Sequence, residues 1–134
     1  ANHAALTEGE PWLDQLLPYV DANQDFAEQY IRDHVPHVTY RKAEGTYLAW
    51  LDVREVVEAI GAKDTAVRES VTSVNPVAPE DVVQRWFAEN AGVFLGPGND
   101  YGAGGAGHMR MNLGTQRRRI QHALDNMAAA LAQI

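Results

Sequence analysis

Between Trp12 and His34 the apolar residues Leu13, Leu16, Leu17, Val20, Phe26, Tyr30 and Ile31 recur largely at three- and four-residue steps, which draws one stripe along a helix. This is the pattern of a long amphipathic helix, which gains its stability by lying against a second layer. Gly9 and Pro11 mark the start, and Pro18 inside the pattern predicts a bend, because proline removes a backbone donor and crowds the preceding turn. Residues 1–8 read as the end of an earlier helix.

Val35-Pro36 stops the helix, and Val38 to Lys42 reads as a strand. The short Ala43-Glu44-Gly45 connection leads to Thr46-Tyr47-Leu48-Ala49-Trp50-Leu51, so the spacing predicts an antiparallel hairpin. Its second strand is apolar on both faces, which predicts a central position. Arg54 to Ile60 is a short helix ended by Gly61, and Lys63 to Ala78, polar and aperiodic, reads as a loop or mobile insertion. Pro79 opens a helix that buries Val82, Val83, Trp86 and Phe87 and closes at Gly92; Val93-Phe94-Leu95 is a brief strand. A glycine-rich loop, Gly96 to Gly107, precedes the alternating strand His108 to Leu113. Thr115 is placed to cap a last helix whose core stripe is Ile120, Leu124, Met127, Leu131 and Ile134. With no internal repeat, this order predicts an α+β fold, a small, mostly antiparallel sheet with helices packed on it.

A chain of 134 residues suits one domain, and its net charge of −7 argues against a nucleic-acid partner. The run Arg117-Arg118-Arg119 reads as a solvated face. The absence of cysteine removes disulfides, thiolate zinc sites and cysteine nucleophiles, which fits a cytoplasmic origin. No run approaches the roughly 18 apolar residues of a membrane span, and Ala1 to Leu6 carries no signal-peptide pattern, so no membrane partner is expected. A start without methionine allows a fragment or a processed product.

Gly102 to Gly107 satisfies G-x-G-x-x-G, but a strand pattern follows where a dinucleotide site needs a helix, and no Lys-Ser or Lys-Thr pair completes a P-loop. His34 and His37 are separated by Pro36 and have no third ligand nearby in sequence, so no metal is expected. Ser70 and Ser73 sit in a polar stretch without a nucleophile elbow. Arg110 stands apart: a guanidinium in mid-strand between Met109 and Met111 calls for an anionic partner, which its planar fork would hold through two parallel hydrogen bonds. That partner is either a ligand carboxylate or a structural Asp or Glu, and the residues alone leave both open.

Glu10-Pro11-Trp12-Leu13-Asp14, Gly45-Thr46-Tyr47-Leu48-Ala49-Trp50-Leu51-Asp52, Phe94-Leu95-Gly96-Pro97-Gly98, Tyr101-Gly102 and Met109-Arg110-Met111-Asn112-Leu113 together resemble, in order, the C-terminal third of MalY/PatB-type, cystathionine β-lyase-like carbon-sulfur lyases. These are members of the fold type I, class I/II aminotransferase superfamily. The resemblance implies a homodimeric parent enzyme of amino-acid metabolism in which a large domain binds pyridoxal 5′-phosphate and a small domain closes over an amino-acid substrate. Residues 1–10 would end the inter-domain helix, and 11–134 would be the small, substrate-clamping domain. By the same likeness Arg110 grips the substrate α-carboxylate, Asn112 supports it, and Tyr101 stands in the place of a family aromatic. Neither Lys42 nor Lys63 lies in a serine-rich context like that of the family's cofactor lysine, so the chain alone is expected to hold no cofactor and to be inactive. The stretch from Lys63 to Ala78 is longer than the family usually carries. A non-catalytic binding or interaction module with the same fold, and a nucleotide binder through Gly102 to Gly107, are the competing readings.

Overall fold

A computed structural model describes residues 2–134; Ala1, the first residue of the expected leading helix, lies outside the described residues. Helix α1 (Asn2–Glu8) is followed at Gly9 by the 25-residue α2 (Glu10–His34), helical without interruption through Pro18. Then come β1 (Leu48–Asp52), α3 (Arg54–Ala59), α4 (Ala62–Ser70), α5 (Pro79–Ala91), β2 (Gly96–Pro97), β3 (His108–Asn112) and α6 (Arg117–Leu131). The three strands form one antiparallel sheet in the order β1-β3-β2. The architecture is the expected α+β one.

One core joins the layers. The inner sheet face supplies Ala49, Leu51, Met109 and Met111, while Ala27 and Ile31 of α2, Val83 and Phe87 of α5, and Ile120, Leu124, Met127 and Leu131 of α6 supply the helical side. Only the second half of the α2 stripe is used, because Trp12, Leu13 and Leu17 remain exposed. Ile134, expected in the α6 stripe, lies beyond the helix end and is 46% exposed.

Several local expectations are corrected. Val38 to Lys42 does not form a hairpin with β1; a single bridge, Thr39 to Asp52, is all that pairs. The tertiary bonds of this segment explain why: the Tyr40 hydroxyl donates to Gln24, the Lys42 amide to Glu28, and the Lys42 ammonium lies 2.7 Å from both Asp21 and Asp25. Bound to α2, the segment cannot run along the β1 edge. Strand β1 is therefore not central; β3 is, and β1 buries one face only.

The expected loop from Lys63 contains α4, whose buried face consists of Ala62 and Ala66, four residues apart but too small to mark an apolar stripe. Val67 and Val71, the larger apolar residues nearby, face outward. Val93 to Leu95 is not a strand, because the Leu95 carbonyl accepts from the Gln84 amide and pairing begins one residue later, at Gly96 opposite Arg110. Thr115 does not cap α6; Gln116 occupies that position, and the Thr115 carbonyl is held by Asn23.

Candidate functional site

Alternation along β3 buries Met109 and Met111 and turns His108, Arg110 and Asn112 to the opposite face. The register sets Trp50 of β1 beside Arg110 on one side and Gly96 of β2 on the other, with Asp52 opposite His108 and Leu48 opposite Asn112. Gly96 has no side chain to shield this face, and the Arg110 Nε and Tyr101 hydroxyl lie 3.5 and 3.4 Å from where a β-carbon would stand.

Tyr101 comes from the loop between β2 and β3. That loop folds into two short 3₁₀ turns, Gly98–Tyr101 and Ala103–Gly105, which pack through their glycines: a β-carbon on Gly105 would come within 1.8 Å of the Gly98 carbonyl oxygen. The close approach brings the Tyr101 ring under Arg110, whose guanidinium carbon lies 4.6 Å from the ring centroid. The Trp50 ring meets Tyr101 edge-on at 5.9 Å and stacks on His108 at 5.7 Å. Arg110 is thus half-buried, backed by the Tyr101 ring, and no carboxylate among the described residues comes within ion-pairing distance of it.

The carboxylate opposite His108 is already paired. Asp52 accepts from Arg54 through both oxygens, and the guanidinium holds the Asp52 carboxyl below its ordinary value. Asn112 shares the face with Arg110, but its Oδ1 accepts the Gly114 amide at 2.8 Å. Of the three residues singled out in the sequence, the fold brings Arg110 and Tyr101 into contact and leaves Asn112 one step along the strand, bonded to its own turn. Trp50 and His108 were not singled out, since the only signal for them is the β1–β3 register, which no local pattern contains.

The remaining motifs resolve differently. Gly107 leads into β3 and not into a helix. His34 packs on Tyr30 with ring centroids 4.6 Å apart, whereas His37 Nδ1 lies 3.3 Å from Glu55; among the described residues no group of three His, Asp or Glu side chains could hold a metal. No helix among the described residues is long and apolar enough to cross a membrane. Of the arginine run, Arg118 and Arg119 are exposed, while Arg117 Nε donates to Asn23.

This fold, a small antiparallel sheet with helices on one face, is similar to part of solved carbon-sulfur lyases that carry pyridoxal phosphate. The C-S lyase of Staphylococcus hominis, a PLP-bound crystal structure, superposes with a TM-score of 0.71 at 25% identity over 97% of this chain and 30% of that one. More particularly, the sequence resembles cystathionine beta-lyases of the PatB and MalY kind. A Mycobacterium tuberculosis protein provisionally named a cystathionine beta-lyase is 38% identical over 133 residues, 99% of this chain and 32% of its own length. Cystathionine beta-lyase PatB of Bacillus subtilis is 33% identical over 132 residues, 98% of this chain and 29% of its own. The chain therefore spans about a third of the length of the curated relatives it matches. No family model matches it.

Proposed function

We propose that this chain is the substrate-clamping domain of a pyridoxal-phosphate enzyme that acts on amino acids, a carbon-sulfur β-lyase by its relatives or else an aminotransferase. Its contribution is to hold the substrate α-carboxylate on Arg110. The observation that carries this reading is the state of that guanidinium: half-buried in mid-strand, backed by the Tyr101 ring, and without a carboxylate partner among the described residues. A half-buried guanidinium with no carboxylate beside it is free to take an anionic ligand, and a fork held at a fixed angle binds a carboxylate through two parallel bonds. Fixing the carboxylate plane also fixes how the α-carbon is presented to groups delivered from elsewhere in the enzyme, which is a positioning contribution to rate. Asn112 supports the strand end through Gly114, and Tyr101 limits the directions open to the guanidinium.

The chain's own residues do not fit the cofactor. Lys42 is clamped between Asp21 and Asp25, and Lys63 is paired with Glu58. Pyridoxal 5′-phosphate is therefore assigned to a large domain of the same parent protein. Support for such a partner comes from the exposed apolar first half of α2 and a groove of about 720 Å³ beside it, lined by Leu13, Leu16, Leu17 and Tyr47.

The test compares Arg110→Gln in the full-length enzyme with the wild type, measuring binding of an α-amino acid and of the corresponding amine without its carboxylate. Loss of two charge-assisted bonds, worth about 1.5 to 3 kcal/mol each, should weaken the amino acid by about 100-fold or more and leave the amine unchanged. Equal losses for both ligands, or none, would overturn the assignment.

A further inference from the structure

We propose that His108 is a second recognition point on the same face, selecting α-amino acids whose side chain carries a neutral hydrogen-bond donor such as a hydroxyl; this rests on the reading of Arg110 as the carboxylate grip. His108 lies two residues before Arg110 on β3, so both side chains leave the same sheet face about 6.5 to 7 Å apart along the strand. That spacing lets one small amino acid reach both.

The imidazole is fixed from two sides. Its Nδ1 is 2.9 Å from the Ala106 carbonyl oxygen, and its ring stacks on Trp50 with an interplanar angle of 15°. A carbonyl can only accept, so Nδ1 carries the proton, and the tautomer that makes this bond leaves Nε2 as the acceptor. Among the described residues Nε2 has no protein partner.

The charges around the ring determine which ligand group suits it. Asp52 faces His108 across the strand pair but is taken by Arg54, and Arg110 adds a positive charge on the same face. A cationic donor would meet Arg110 and Arg54, and an anion would require a second cation on a face that already holds one. A hydroxyl meets neither objection. A role limited to packing would need only a flat ring against Trp50 and would make no use of Nε2.

The experiment uses the full-length, cofactor-loaded protein and calorimetric dissociation constants for L-homoserine and L-norvaline, which differ in a terminal hydroxyl against a methyl group. The wild type should favour homoserine roughly fivefold, the size of one net hydrogen bond in water. His108→Phe keeps a ring for Trp50 and should erase that ratio while norvaline binding stays within about twofold; His108→Gln, which restores an acceptor, should recover part of it. Arg110→Gln should weaken both ligands by the same factor and preserve the ratio. A wild type without the preference, or a His108→Phe variant that retains it, overturns the role of His108. An Arg110→Gln variant that binds both ligands like the wild type overturns the carboxylate grip instead.

Discussion

Replacing Asn23 should destabilise the chain more than any exposed polar substitution, because its amide, 0% exposed, joins three elements at once. Its Nδ2 donates to the Leu113 carbonyl at 3.0 Å and the Thr115 carbonyl at 2.9 Å, and its Oδ1 accepts from Arg117 Nε at 3.1 Å. These bonds tie α2 to the end of β3 and the start of α6, and so hold the strand that carries Arg110. A neutral hydrogen bond contributes a net 0.5 to 1.5 kcal/mol, and Arg117 can recover water, so Asn23→Ala should cost about 2 to 3 kcal/mol. Asn23→Asp should cost more despite its attraction for Arg117, since a carboxylate cannot donate and would face two carbonyl oxygens at close range. Urea unfolding followed by circular dichroism reads both variants as lower midpoints at unchanged slope. An alanine variant within about 0.5 kcal/mol of wild type, the usual scatter of surface substitutions, would refute the reasoning, as would an aspartate variant as stable as the parent.

Gly105→Ala places a β-carbon 1.8 Å from the Gly98 carbonyl oxygen, so the loop must open and lift Tyr101 away from Arg110. Amino-acid binding to the full-length protein should weaken about 10- to 100-fold with helix content unchanged, and wild-type affinity would show that the loop plays no part. Asp52 has a folded-state value lowered chiefly by its hydrogen bonds to Arg54, so its stabilising contribution is present above the ordinary carboxylate range and is lost as pH falls through the folded value. The melting-temperature gap between wild type and Asp52→Asn should accordingly be open at pH 7 and close below about pH 4; a gap that widens in acid contradicts this.

The helices that carry a large apolar stripe were legible because their signal is local: Val82, Val83 and Phe87, or Ile120, Leu124 and Met127, repeat at the helical period whatever surrounds them. Helix α4 was not legible, since Ala62 and Ala66 leave little contrast with their neighbours. In α2, Asn23 interrupts an otherwise apolar phase between Val20 and Ala27, a visible anomaly, yet nothing in the chain order says that its amide meets carbonyls some ninety residues away.

By itself the sequence determined the class of fold, the strand that bears Arg110 and the likeness to carbon-sulfur lyases, all of which rest on periodicity and short motifs. Only the tertiary structure decided which strands pair. Tyr40 and Lys42 are claimed by α2, so β1 pairs with β3 and not with its neighbour in sequence, and that register alone brings Trp50 and Asp52 to Arg110 and His108. Strand pairing is a competition among distant hydrogen-bonding partners for the same edge, and its outcome depends on side chains that no local window contains.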